Sequence, residues 1–158
     1  MGNVIVTENG FAPDGWRHGF VGPEALPALA RAATNGLAVD LEPQADPEPL
    51  SPLLDSIDMI RIRFAAFGDG RGFSLARRLR EEGFPGRLRA RGALLPDQLA
   101  QLLCCGFDEV EITPERAARQ PEADWLAALA CGPAPDLQRL RQYARWPALA
   151  DMNNCTNA

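Results

Sequence analysis

Four short stretches of this chain alternate apolar and charged residues with a period of two, and few folds accept that pattern. Ile60, Ile62 and Phe64 alternate with Arg61 and Arg63, Leu88 and Ala90 with Arg87, Arg89 and Arg91, and Val110 and Ile112 with Glu109 and Glu111. Leu37, Val39 and Leu41 alternate in the same way with Ala38, Asp40 and Glu42. Successive side chains of a strand point to opposite sides, so each stretch has one apolar and one charged face. A parallel sheet covered by helices on both sides would read as continuous apolar runs instead. Helices therefore cover one face only, and the other meets water, a ligand, a second subunit or the inside of a partial barrel. A solvated face or an ion-pair layer between subunits is the simplest reading of such alternation. A buried charged layer has to be paired, with Glu109 or Glu111 set against arginines of neighbouring strands.

Helical spacing fills the gaps between these strands. The strand at 58–64 is followed by the helix "FSLARRLREEG", with its stripe at Leu75, Ala76 and Leu79, then a strand at 86–91, the helix "LPDQLAQLLCCG" and a strand at 108–112. Gly83 and Gly106 stand where helix C-termini favour glycine. Strands joined through helices pair in parallel. The expected fold is α/β: parallel βα repeats forming a four-stranded, partial (half) TIM-barrel-like sheet with helices on one face. A loop-rich N-terminal segment precedes it, with a short strand at Val4–Val6, turns through "APDGWRHG", and helical spacing at Leu26, Leu29 and Ala33. Asp46 and Pro47 open a short helix carrying Leu50, Leu53 and Leu54. C-terminal helices are expected near Trp125–Ala130 and Leu137–Trp146, with Trp125, Tyr143 and Trp146 as packing residues. Residues 1–150 then make a single α/β domain and 151–158 a flexible tail.

Composition narrows the chemistry. A chain of 158 residues is long enough for one real core, and a net charge of −5 disfavours nonspecific nucleic-acid binding. No stretch approaches the roughly 20 apolar residues of a membrane span, and the start lacks a signal-peptide pattern, so a cytoplasmic location is expected. Cys104, Cys105, Cys131 and Cys155 show neither CxxC spacing nor a histidine-rich surrounding, the one histidine being His18. They suit buried packing better than zinc or an iron–sulfur cluster. No metal or other cofactor is evident.

The stretch "FGDGRGFS" runs from a strand end through glycines into a helix, the order of a nucleotide-binding loop. Its spacing fails the test. Dinucleotide loops need G-x-G-x-x-G or A, and the last position falls on Phe73 or Leu75. A Walker loop needs a lysine, and the chain contains none. A tight turn with Gly70 and Gly72 at positive φ, pinned by Asp69, is the preferred reading. The alternative is an anion at the helix start, with Arg71 supplying charge. The next strand end, "RARGALLPDQL", brings Asp97 and Gln98 into a first helical turn. Ligand-binding candidates are therefore Asp69, Gly70, Arg71, Gly72, Ser74, Arg89, Asp97 and Gln98, a polar cluster if they share one end of the sheet.

"FGDGRGFSLARRLRE", "GRLRARG", "LLPDQLAQL" and "CGFDEVEI" together resemble the bacterial domain-of-unknown-function family numbered 934. The likeness covers about 36–112 and carries Asp69, Gly70, Arg71, Gly72, Ser74, Leu79, Arg80, Arg89, Gly92, Asp97, Gln98, Gly106, Phe107 and Asp108. Gly68, Phe73 and Ala93 depart from the family pattern, which has threonine, an aromatic hydroxyl and an acidic residue there. The resemblance implies a part in assimilatory sulfite reduction, with the reductase haemoprotein as a partner. Sulfite reduction moves six electrons through metal cofactors, so a chain with no such motif reads as an accessory or oxidoreductase component. The other class of function is a small-molecule or anion-binding enzyme with its polar site at the C-terminal ends of the parallel strands. An open half-barrel also invites a homo-oligomer.

Overall fold

The computed structural model describes residues 2–31, 36–66 and 68–131. Ala33, the expected helix at Leu137–Trp146 with Tyr143, Cys155 and the tail 151–158 lie outside the described residues.

Among the described residues six strands form one sheet: β1 (Val4–Thr7), β2 (Gly10–Pro13), β3 (Ala38–Leu41), β4 (Met59–Phe64), β5 (Arg87–Gly92) and β6 (Glu109–Ile112). Their order is β2-β1-β6-β5-β4-β3. The run β3 to β6 is parallel and each strand neighbours the next in sequence, as in a (β/α)-barrel segment. The mixed α/β fold is thus as expected, and a half-barrel arrangement is compatible with it. The sheet is larger than expected, because a hairpin of β1 and β2 adds two antiparallel strands on the β6 side. The turns expected from Ala12 onward begin two residues later, since Ala12 and Pro13 end β2, an edge strand where the missing proline N–H is harmless. The outward Phe11 N–H donates to Glu122 Oε1, at 2.6 Å.

The helices among the described residues are α1 (Leu26–Leu29), α2 (Arg71–Glu81), α3 (Leu99–Cys104), α4 (Pro114–Arg119) and α5 (Glu122–Ala130). Residues Glu48–Ser56 wind as a 3-10 helix, because Pro49 and Pro52 remove amide donors an α-helix would use. Helix α4, unforeseen, starts where Thr113 accepts the Arg116 N–H and Pro114 takes the first position. Leu75, Ala76 and Leu79 of α2, Leu99, Leu102 and Leu103 of α3, and Trp125 of α5 join one buried cluster. Val6, Val39, Ile60, Ile62, Phe64, Leu88, Ala90, Val110 and Ile112 complete it from the sheet. Phe64 lies edge-on to Phe73, with centroids 5.4 Å apart. Each fully buried Leu or Ile contributes roughly 1.5–3 kcal/mol, so this face is a main source of the domain's stability.

Candidate functional site

The opposite face carries the charges, and it is buried. Arg61, Arg89, Glu109 and Glu111 are all below one-tenth exposed, Arg89 at 1%. Register explains the meeting: Asp40 pairs with Arg61, Arg61 with Arg89, and Arg89 with Glu109 across adjacent strands. Arg61 donates to both Asp40 oxygens, at 2.5 and 2.6 Å, and to Glu111 Oε2 at 3.0 Å. Arg89 donates through Nε to Glu109 at 2.7 Å and through Nη1 to Glu111 at 3.1 Å. Its Nη1 and Nη2 also hold Asp14 bidentately, at 3.0 and 2.9 Å. Arg63, Arg87 and Arg91 pair at the margins with Glu42, Glu109 and Glu111. Burial alone would loosen the Arg89 proton, but the hydrogen bond it donates to Asp14 and the charge of Glu109 outweigh it, so its pKa is raised. A guanidinium this firmly protonated transfers no proton, and here it serves as structure.

The cover is the chain's own N-terminal segment. Residues 14–20 cross this face, with the Phe20 ring centroid 3.5 Å from the Arg61 guanidinium carbon. The middle of the charged face, around Arg61 and Arg89, is therefore covered by the chain itself, whereas Arg63, Arg87 and Arg91 at its margins stay about half exposed. Asp14, Phe20 and Asn3, which donates to Glu111 at 2.6 Å, lie in stretches the alternation pattern does not reach.

The glycine corner differs from expectation. Gly70 has φ −71°, and neither it nor Gly72 is among the glycines of positive φ. Gly72 is needed for close approach, since a Cβ there would stand 2.4 Å from Phe64 Cζ. Gly92 does adopt positive φ, +133°, and a Cβ would meet the Phe64 carbonyl oxygen at 2.0 Å. Phe64, Gly72 and Gly92 thus interlock the two corners. Asp69 turns to Arg71: its carboxylate accepts from Arg71 Nε and Nη2, both at 2.9 Å, and from the Arg71 backbone N–H at 3.1 Å. The Arg71 side-chain hydrogen bond holds the Asp69 carboxyl below its ordinary pKa. Ser74 is exposed one turn along α2. Asp97 is exposed in the 3-10 turn Pro96–Gln98, and Gln98 Oε1 accepts the Leu95 N–H at 2.9 Å. Asp69 and Arg71 are brought together, whereas Arg89 belongs to the ion-pair layer in mid-sheet and not to a cluster at the strand ends.

At the other end of the sheet Arg80 forms a staple. It donates to the carbonyls of Gly106, Phe84 and Gly86 at 3.0, 2.9 and 2.8 Å, and to Asp108 Oδ2 at 2.8 Å. Asp108 Oδ2 also accepts the Leu88 N–H at 2.8 Å. Gly106 has φ +103°, and a Cβ there would press within 2.7 Å of Arg80 Cγ. Arg80, Gly106 and Asp108, which stand out in the sequence, are accounted for by this packing.

Other candidate chemistry is sparse. Cys104 and Cys105 are buried, and burial pushes the Cys105 thiol up to about 11, far from a reactive thiolate. Among the described residues no group of three or more His, Cys, Asp or Glu is placed to hold a metal. A cavity of about 310 Å³ at the end of β6 is lined by Thr113, Glu115, Arg116, Arg119 and Gln120. Among the described residues no helix is long and apolar enough to cross a membrane. The family described as "Bacterial protein of unknown function (DUF934)" matches the chain over residues 38–129. No curated protein matches it.

Proposed function

The chain belongs to the DUF934 family, and from that premise we propose that it is an accessory component of assimilatory sulfite reduction. In this reading it works in the cytoplasm and docks on the reductase haemoprotein without a redox centre of its own. The observation that carries the reading is how the polar side chains are used. The buried charges satisfy one another, which leaves an outward-facing rim for recognition. On that rim Arg63, Arg71 and Arg91 hold a carboxylate each and still expose 57%, 65% and 42% of their side chains. Exposed, loosely paired arginines steer and orient a partner more than they add raw affinity.

The test is growth of a strain lacking the gene on sulfate, sulfite, sulfide or cysteine as sole sulfur source. Rescue by sulfide and cysteine but not by sulfite supports the reading, and capture of the reductase on the purified chain extends it to docking. Equal growth on all four sources removes it.

The cavity beside α4 favours a second reading, a small-molecule or anion-binding enzyme with its polar site at the C-terminal ends of the parallel strands. Arg116 and Arg119 flank that cavity. Under this reading sulfite or sulfate binds saturably in calorimetry and Arg119→Ala abolishes the heat. A flat titration of the unaltered protein removes it.

A further inference from the structure

Residues 14–20 are held unlike anything beneath them. Among the described residues no backbone–backbone hydrogen bond joins this stretch to the sheet. Pairing with β1 ends at Pro13 and resumes on β3 at Val21, whose N–H donates to the Ala38 carbonyl and whose carbonyl accepts the Asp40 N–H, both at 2.9 Å. Side chains make the contact in between: Asp14 on Arg89, Phe20 on Arg61, and the His18 ring against Gly36. Trp16 packs on His18 and Phe20, with centroids 5.1 and 6.2 Å away, while its indole Nε1 is buried with no acceptor. An orphaned buried donor is unfavourable, so the closed arrangement carries a penalty of its own.

The glycines supply an independent observation. Gly15 and Gly19 do not have positive φ, and no atom lies within 4 Å of where their Cβ would stand. Alanine fits both positions as they are. The closed conformation therefore requires glycine at neither, in contrast to Gly72 or Gly92. Glycine at such a position acts by widening the set of other conformations open to the chain.

We infer that residues 14–20 form a strap that lifts from the charged face as a unit, loosened at Gly15 and Gly19 and latched by Asp14 on Arg89. When it lifts, Arg61 keeps Asp40 and Glu111, and Arg89 keeps Glu109 and Glu111. No guanidinium is left without a carboxylate, so the sheet stays folded while the strap is open. Such a segment belongs to the low-stability end of a structure, where local opening precedes global unfolding. The inference holds whether or not the chain docks on a reductase.

Arg17, exposed in the strap, is the reporter. Trypsin cleaves after arginine and needs an extended segment in its cleft, so cleavage there follows the open population. The experiment is limited trypsinolysis of the full chain in increasing urea below the unfolding transition, with each cut assigned by mass spectrometry. Cleavage after Arg17 is expected to be slow and nearly independent of urea, whereas cleavage after Arg89 rises steeply. Asp14→Asn is expected to speed the Arg17 cut by about tenfold without changing the urea slope at Arg89. Gly15→Ala with Gly19→Ala should slow the Arg17 cut several-fold, and this pair tests the strap even if Asp14→Asn fails to fold. The inference is overturned if both cuts share one urea dependence, since strap and sheet then open together. It is equally overturned if Arg17 is cut as fast as in an unfolded peptide, because the strap is then never closed.

Discussion

Helix α2 carries an arginine near each end, and each is paired with an aspartate at almost the same distance. Arg71 reaches Asp69 at 2.9 Å and Arg80 reaches Asp108 at 2.8 Å. The first pair lies within one turn of chain, with 65% of the Arg71 side chain exposed. The second spans 28 residues, and the Arg80 side chain is 4% exposed. An exposed short-range pair shapes its own turn and little more. A buried long-range one determines which segments lie side by side, and its loss strands several acceptors at once. Both pairs come from equally recognisable pieces of sequence, "DGRG" and "GFD", so recognisability alone does not separate a site from a staple.

Substitution at the buried end should have the largest effect. Arg80→Ala takes a donor from three carbonyls and leaves the Asp108 carboxylate with only the Leu88 N–H and no cation, and a loss of about 3–5 kcal/mol is expected from urea denaturation. A loss below about 1 kcal/mol would place Arg80 in the same class as an exposed pair. Next comes Gly72→Ala, beside Arg71 but facing inward. Its Cβ meets the Phe64 ring, and overpacking of this kind costs about 1–3 kcal/mol in the same measurement.

The ion-pair layer contributes a pH dependence of moderate size. Burial pushes the Asp14 carboxyl upward, but the Arg89 hydrogen bond outweighs it and leaves the pKa below its ordinary 3.8. A depressed carboxyl stabilises the fold fully above that ordinary value and progressively less as pH falls through the depressed one. The urea midpoint of the unaltered protein should therefore drop more between pH 5 and about pH 3 than that of Asp14→Asn. Equal drops would show that Asp14 is not latched in solution. The smallest effect belongs to Arg71→Ala, which should leave the urea midpoint in place. If the docking proposal is right, the same variant captures less reductase; a lowered midpoint would make Arg71 structural and close the comparison with Arg80.

Much of the sheet was legible because side-chain alternation has a period of two and survives any context. The strands read at 58–64, 86–91 and 108–112 appear as Met59–Phe64, Arg87–Gly92 and Glu109–Ile112. Strand β2 was not legible, since "GFAP" has the residues of a turn and is a strand only because β1 lies beside it. The start of α4 was there to be read in Thr113-Pro114, a cap followed by a first-turn proline. The candidate site was legible in part. Asp69 and Arg71 do meet, but spacing could not tell that Gly72 answers to Phe64, a residue of another element.

By itself the sequence determined that the sheet has one apolar and one charged face, because alternating residues of a strand can do nothing else. It also placed Glu109 and Glu111 within reach of the arginines, because parallel neighbours in a βα array stack in register. Only the tertiary structure decided that the charged face is covered, and by what. Asp14 meets Arg89 across 75 residues of chain, and no local pattern encodes that distance. The path of the N-terminal segment over the sheet settles it, and with it which of the nine alternating charges make a surface and which an interior.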